Sequence, residues 1–78
     1  MDKHGLSVAI RRVANAALES VNSADSPIQV FCVEQALESL VTIASDYGLA
    51  DIRAQLIKRL GALQSGQPAE PIEEVTIS

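Results

Sequence analysis

Residues 30–47 carry apolar side chains at alternating steps of three and four, and this spacing constrains the fold more than any other feature. The series is Val30, Val33, Leu37, Leu40, Ala44 and Tyr47. Because such residues share one face of an α-helix, the spacing predicts a long helix with an apolar seam. Other apolar residues fall outside that seam, namely Phe31, Cys32, Ala36, Val41 and Ile43. This apolar surface is wider than one neighbouring helix can cover, so we expect the helix to be central.

The start of this helix is the clearest boundary in the sequence. Ser26 is a favourable N-cap residue, and Pro27 fits the first helical position because its missing N–H has no partner there. Gln29 stands three residues after Ser26, as in a capping box. Gly48 can adopt the left-handed conformation that closes a helix. The pattern therefore predicts a second helix that begins near Pro27 and ends at Gly48.

Two further helices are predicted on either side of it. The first runs from Lys3 or Leu6 to Val21, and the third from Leu49 to Leu63. The first helix has an apolar stripe with two residues beside it, and these are Leu6, Ile10, Val13, Ala17 and Val21 with Ala14 and Leu18. The third has a stripe with one residue alongside, and these are Leu49, Ile52, Leu56, Leu60 and Leu63 with Ile57. Each flanking helix thus offers one apolar face to the central helix.

The composition favours the same all-α class. The chain has eleven alanines among 78 residues but only two aromatic residues, so its core must use small and branched side chains on closely spaced helices. We predict a small three-helix bundle over residues 1–63, built from a helical hairpin and a third helix. Residues 64–78 contain two Gln, two Pro, three Glu and one Gly. We predict that they form a flexible, disordered acidic tail.

Net charge and hydropathy narrow the classes of partner. Six Lys and Arg against ten Asp and Glu give a net charge of −4. This charge opposes nucleic acid as the main partner, because nucleic-acid binding depends on neutralising phosphates. No uninterrupted apolar run approaches the roughly 18 residues of a membrane span, and the N-terminus lacks the pattern of a signal peptide. We therefore predict a cytoplasmic protein without membrane contact.

Candidate catalytic and metal-binding residues are few. His4 lies near the N-terminus and Cys32 lies within the second helix, where we expect an inert, buried thiol. One His and one Cys cannot supply a tetrahedral zinc site. Glu34 and Glu38 share a helix face, which suits a solvated surface or a docking patch for basic residues. We predict no enzyme activity, no metal and no cofactor.

The surplus apolar surface of the second helix is the main indication of function. A 78-residue chain buries only about 60% of its unfolded surface when it folds alone, and an exposed apolar patch usually marks an interface. We predict a homodimer that acts as a non-catalytic protein interaction module on a larger partner with a basic surface. An adaptor, an anti-activator or an inhibitor encoded by a phage or mobile element would fit, as would a structural subunit of an assembly. The predicted interface residues are Phe31, Glu34, Glu38, Val41, Ile43, Ile52 and Leu56.

Residues 40–59 support an alternative. They can be aligned with the twenty-residue helix-turn-helix pattern, with Ala44 at its small fifth position and Gly48 at its ninth. The positions that are usually apolar in the pattern hold Ile43, Leu49, Ala54 and Ile57. This resemblance implies a dimeric DNA-binding transcriptional regulator that uses Arg53, Gln55, Lys58 and Arg59. The apolar stripe of the third helix and the negative net charge oppose it.

Overall fold

The computed structural model describes residues 2–23 and 25–72, and these residues fold into three α-helices. Helix α1 spans Lys3–Asn22, α2 spans Pro27–Asp46 and α3 spans Ala50–Gln64. The predicted all-α, three-helix class is confirmed. Helix α2 makes most of the contacts between helices and packs against both α1 and α3, whereas α1 and α3 contact each other only slightly.

The helix starts use local side chains to satisfy backbone groups. The carboxylate of Asp2 accepts a hydrogen bond from the Gly5 N–H and caps α1. Ser26 is the N-cap of α2, as predicted, but its side chain makes no capping hydrogen bond. The Gln29 side chain instead accepts from the Asp25 N–H at 2.6 Å. The predicted start of α2 is confirmed. The predicted capping box is wrong, because Gln29 accepts from the N–H of Asp25, the residue before the N-cap, and not from the N–H of Ser26.

Two glycines end their helices in the same way. Gly48 has a φ of +69° and Gly66 a φ of +76°. After α2, the Leu49 N–H donates to the Ala44 carbonyl at 2.8 Å and the Gly48 N–H donates to the Ser45 carbonyl at 3.2 Å. The same pair of bonds recurs after α3, from Gln67 to Ala62 and from Gly66 to Leu63. Both ends are therefore Schellman motifs, which reverse the chain direction.

The core draws on all three helices and on the segment that follows them. Its buried residues are Ile10, Ala14, Leu18, Val33, Leu37, Leu40, Ala44, Ile52, Leu56, Leu63, Ala69 and Ile72. The predicted stripes account for most of this core, but Val13, Tyr47 and Ile57 are exposed. These three residues lie at the edges of their stripes, where the neighbouring helix no longer covers them.

Residues 65–72 differ from the predicted independent tail. Gln64 still belongs to α3, and the chain then turns back so that Ala69 and Ile72 are buried at 9% and 3% exposure. The composition of this segment gave no sign of packing because its two buried residues stand among polar residues and prolines. The remainder of the predicted tail, residues 73–78, lies outside the described residues.

Candidate protein-binding surface

The outward surface of α2 is mostly uncharged, and its one exposed charged residue between Ile28 and Ile43 is Glu38. Seven exposed residues recur there at helical spacing, and we call them the α2 outer face: Ile28, Phe31, Cys32, Gln35, Ser39, Thr42 and Ile43. Ile28 and Phe31 are 74% and 52% exposed, and Ile43 is 38% exposed. The buried residues of α2 lie on the opposite side of the helix. This helix therefore presents an apolar surface to the core and a largely uncharged surface to its surroundings.

The polar side chains of the α2 outer face are partly satisfied by their own helix. The Ser39 hydroxyl donates to the Gln35 carbonyl at 3.1 Å, and the Thr42 hydroxyl donates to the Glu38 carbonyl at 3.2 Å. A hydroxyl bonded to the preceding turn loses less when a partner displaces water from it. The middle of the face can thus be covered at a smaller desolvation cost than its composition suggests.

The predicted interface residues of α2 fall on this face or beside it. Phe31 and Ile43 belong to the face, and Glu38 is exposed on its flank. Glu34 lies one turn from Glu38 on the same flank and is half-buried. Val41 is half-buried and packs against the core, so it contributes little to an outer contact.

The two predicted interface residues of α3 belong to the core instead. Ile52 is 6% exposed and Leu56 is fully buried at 0%. The prediction placed them on a surface because three apolar stripes appeared to exceed what one small core could hold. The core accommodates them because it encloses residues of all three helices, so neither residue is available to a partner.

Cys32 and Ile28 also differ from the sequence-based prediction. Cys32 is exposed rather than buried, so its thiol is accessible to reagents in the single chain. Ile28 was not predicted as a surface residue although it is the most exposed of the large apolar residues. Its position three residues before Phe31 and four before Cys32 was the available signal, because that spacing places all three on one face.

The described residues contain no group of three metal-ligating side chains. No polar or charged side chain among them is buried either. A surface depression of about 350 Å³ lies between the end of α3 and residues 67–72, which we call the returning segment. Its lining includes Lys58, Arg59 and Glu70.

No protein-family model, curated protein or solved structure matches this chain.

The helix-turn-helix register differs from the observed packing. That pattern places apolar residues at Ala54 and Ile57, and the structure leaves both exposed while it buries Ile52 and Leu56. Two of the proposed DNA-contacting cations already have partners. The Arg53 Nε donates to Ser45 Oγ at 2.7 Å, and Arg59 donates to two backbone carbonyls of the returning segment.

Helix α2 is also long and apolar enough to cross a membrane, by length and composition alone. Its mean hydropathy over the relevant window is 1.2, and 22% of that window is buried inside the molecule. The same residues supply its seam in the core and the exposed apolar side chains of Ile28, Phe31 and Ile43.

Proposed function

We propose that this chain is a small cytoplasmic protein interaction module that acts without catalysis. It binds a larger partner protein through the α2 outer face and serves as an adaptor, an anti-activator or an inhibitor. One observation carries the proposal: Ile28, Phe31 and Cys32 form a contiguous apolar group at one end of an exposed helix face on which Glu38 is the one exposed charged residue from Ile28 to Ile43. Contiguous apolar surface of this kind is typical of interfaces.

The chemistry of the partner follows from this face and its flank. An apolar helix or groove would cover Phe31, because large aromatic residues often provide most of the binding energy at an interface. Glu34 and Glu38 lie beside the face, so basic residues at the edge of the partner's contact surface would be attracted and oriented. A second copy of this chain is the competing occupant of the same face, as the homodimer prediction requires.

Site-specific cross-linking tests the proposal. A photoreactive phenylalanine analogue replaces Phe31 in one variant and Val13 in the control, since these residues have similar exposure, 52% and 54%, on different helices. In cells of the native host we expect position 31, but not position 13, to form one discrete adduct with a larger protein. Because the adduct is covalent and contains only protein, nuclease treatment should leave its mass unchanged.

The other outcomes would overturn the proposal. An adduct of twice the chain mass alone would assign the face to a homodimer. An adduct that nuclease digests to a smaller mass would favour the DNA-binding alternative. Equal labelling at positions 13 and 31 would mean that the α2 outer face has no special role.

A further inference from the structure

The returning segment, residues 67–72, is held by side chains of two different helices. On α1, the carboxamide of Asn15 makes two hydrogen bonds with the backbone of Ile72. Its Nδ2 donates to the Ile72 carbonyl at 3.1 Å, and its Oδ1 accepts from the Ile72 N–H at 2.7 Å. On α3, the Arg59 guanidinium donates to the carbonyls of Glu70 and Pro71, both at 3.0 Å. All four bonds are made to the main chain of the segment.

Main-chain recognition of this type is how proteins bind extended peptides. An asparagine carboxamide that pairs with both the N–H and the carbonyl of one residue replaces the neighbouring strand that an extended segment would otherwise need. Hydrogen bonds to the backbone do not depend on which side chains the peptide carries. Sequence selectivity then comes from the buried side chains, which are Ala69 and Ile72.

The segment also lies where two helices leave space. Helices α1 and α3 contact each other only slightly, and the segment is bonded to both. Because Ala69 and Ile72 are part of the core, the space between α1 and α3 would be a cleft if the segment left it. We call this space the α1–α3 cleft.

We propose that the α1–α3 cleft is a binding site for an extended peptide segment of a partner protein, and that residues 67–72 occupy it in the absence of that partner. The peptide would present a small residue, a branched aliphatic residue three positions later and a proline between them, as in Ala69, Pro71 and Ile72. It would be held by Asn15 and Arg59 through its main chain. This site is separate from the α2 outer face.

The resident segment sets the selectivity of the cleft. A segment joined by a short linker acts as a ligand at an effective concentration of the order of millimolar. A partner peptide must therefore bind well enough to displace a tethered competitor, so weak matches are rejected. The Schellman turn at Gly66 directs the linker so that the segment reaches the cleft.

Cutting the linker converts the resident segment into a free ligand. A protease site is inserted between Gln67 and Pro68, which are both exposed, so that the turn at Gly66 is kept. The cleaved segment is removed, and a fluorescent peptide of residues 68–78 is added. Binding of the peptide is followed by fluorescence anisotropy, and the helix content of the chain by circular dichroism. We expect saturable binding, and we expect the peptide to restore any helix content that the chain lost when its own segment was removed.

Matched variants distinguish specific recognition of the peptide from non-specific binding. Asn15→Ala should weaken binding about tenfold or more, because it removes two hydrogen bonds. A peptide with Ile72→Asp should not bind. A peptide with Glu70→Gln should bind as the natural peptide does, because the Glu70 side chain is exposed and only its backbone carbonyl accepts a hydrogen bond from Arg59. Phe31→Asp should leave peptide binding unchanged, which keeps this test independent of the α2 outer face.

Two results would overturn the inference. One is that the cleaved chain fails to bind the peptide, whether it stays helical or unfolds. The other is that Asn15→Ala binds the peptide as tightly as the natural chain does. As a second measurement in the intact chain, the Ile72 amide should be protected from hydrogen exchange, and Asn15→Ala should remove that protection.

Discussion

Gly61 and Gly66 stand five residues apart and have opposite backbone requirements. Gly61 lies inside α3, and a Cβ built on it would meet nothing within 4 Å. Gly66 would have equally open space, but its φ of +76° is one that residues with a side chain rarely adopt. Replacement of each by alanine therefore separates helix propensity from turn geometry.

We expect these two substitutions to change stability in opposite directions. Gly61→Ala should raise the free energy of unfolding by up to about 1 kcal/mol, because Ala is the better helix former. Gly66→Ala should lower it by about 1 kcal/mol, because a Cβ is strained at positive φ. Urea denaturation followed by circular dichroism measures both. If Gly66→Ala proved as stable as the natural chain, the described turn would not govern how the chain leaves α3.

At the scale of elements, local pattern predicted the helices and failed for the segment after them. The boundaries of α2 could be predicted because Pro27 and Gly48 act within one turn of where they stand. The position of the returning segment could not be predicted, because its Ile72 is bonded to Asn15, which is 57 residues away along the chain. No spacing rule links an asparagine on α1 to an aliphatic residue after α3.

The α2 outer face was predicted only in part for a related reason. Periodicity showed that α2 has more apolar surface than one neighbour covers, which identified Phe31 and Ile43. It could not determine how much the core would hold, so Ile52 and Leu56 were misplaced on the surface. That quantity depends on how the returning segment and three helices close around one another.

Two isoleucines provide a matched test of these assignments. Ile72→Ala should lower the free energy of unfolding by about 2–4 kcal/mol, because the residue is 3% exposed and truncation leaves a cavity. Ile28→Ala should change it by about 0.5 kcal/mol or less, because the residue is 74% exposed. Thermal and urea unfolding compare the two. A small effect of Ile72→Ala would show that the segment does not belong to the core in solution.

At the scale of the whole molecule, the homodimer remains a prediction that the exposed thiol can test. Cys32 is the single cysteine of the chain and lies on the α2 outer face. If two copies associate through this face, the rate at which an aromatic disulfide reagent modifies the thiol should fall as protein concentration rises from micromolar towards millimolar. Phe31→Asp should keep the rate high throughout, because a charge in the contact opposes association.

The same measurement separates the two occupants of the face. A thiol that reacts at one rate over the whole concentration range would contradict a homodimer through α2. Protection that appears only when a partner protein is added would be the result expected of the proposed module. Sedimentation of the same samples gives the mass of each species, so protection can be assigned to a complex of known size.

If α2 contacts a partner as proposed, its position between the core and that partner restricts how its sequence can change over evolutionary time. A substitution on its inner side alters the packing of Leu37 or Leu40, and one on its outer side alters the proposed contact around Phe31. The proposed function assigns no contact to the outer sides of α1 and α3, so those sides can vary as long as they stay helical. Among descendants of this sequence, variation along α1 and α3 would thus follow the helical period, whereas α2 would change slowly on both sides.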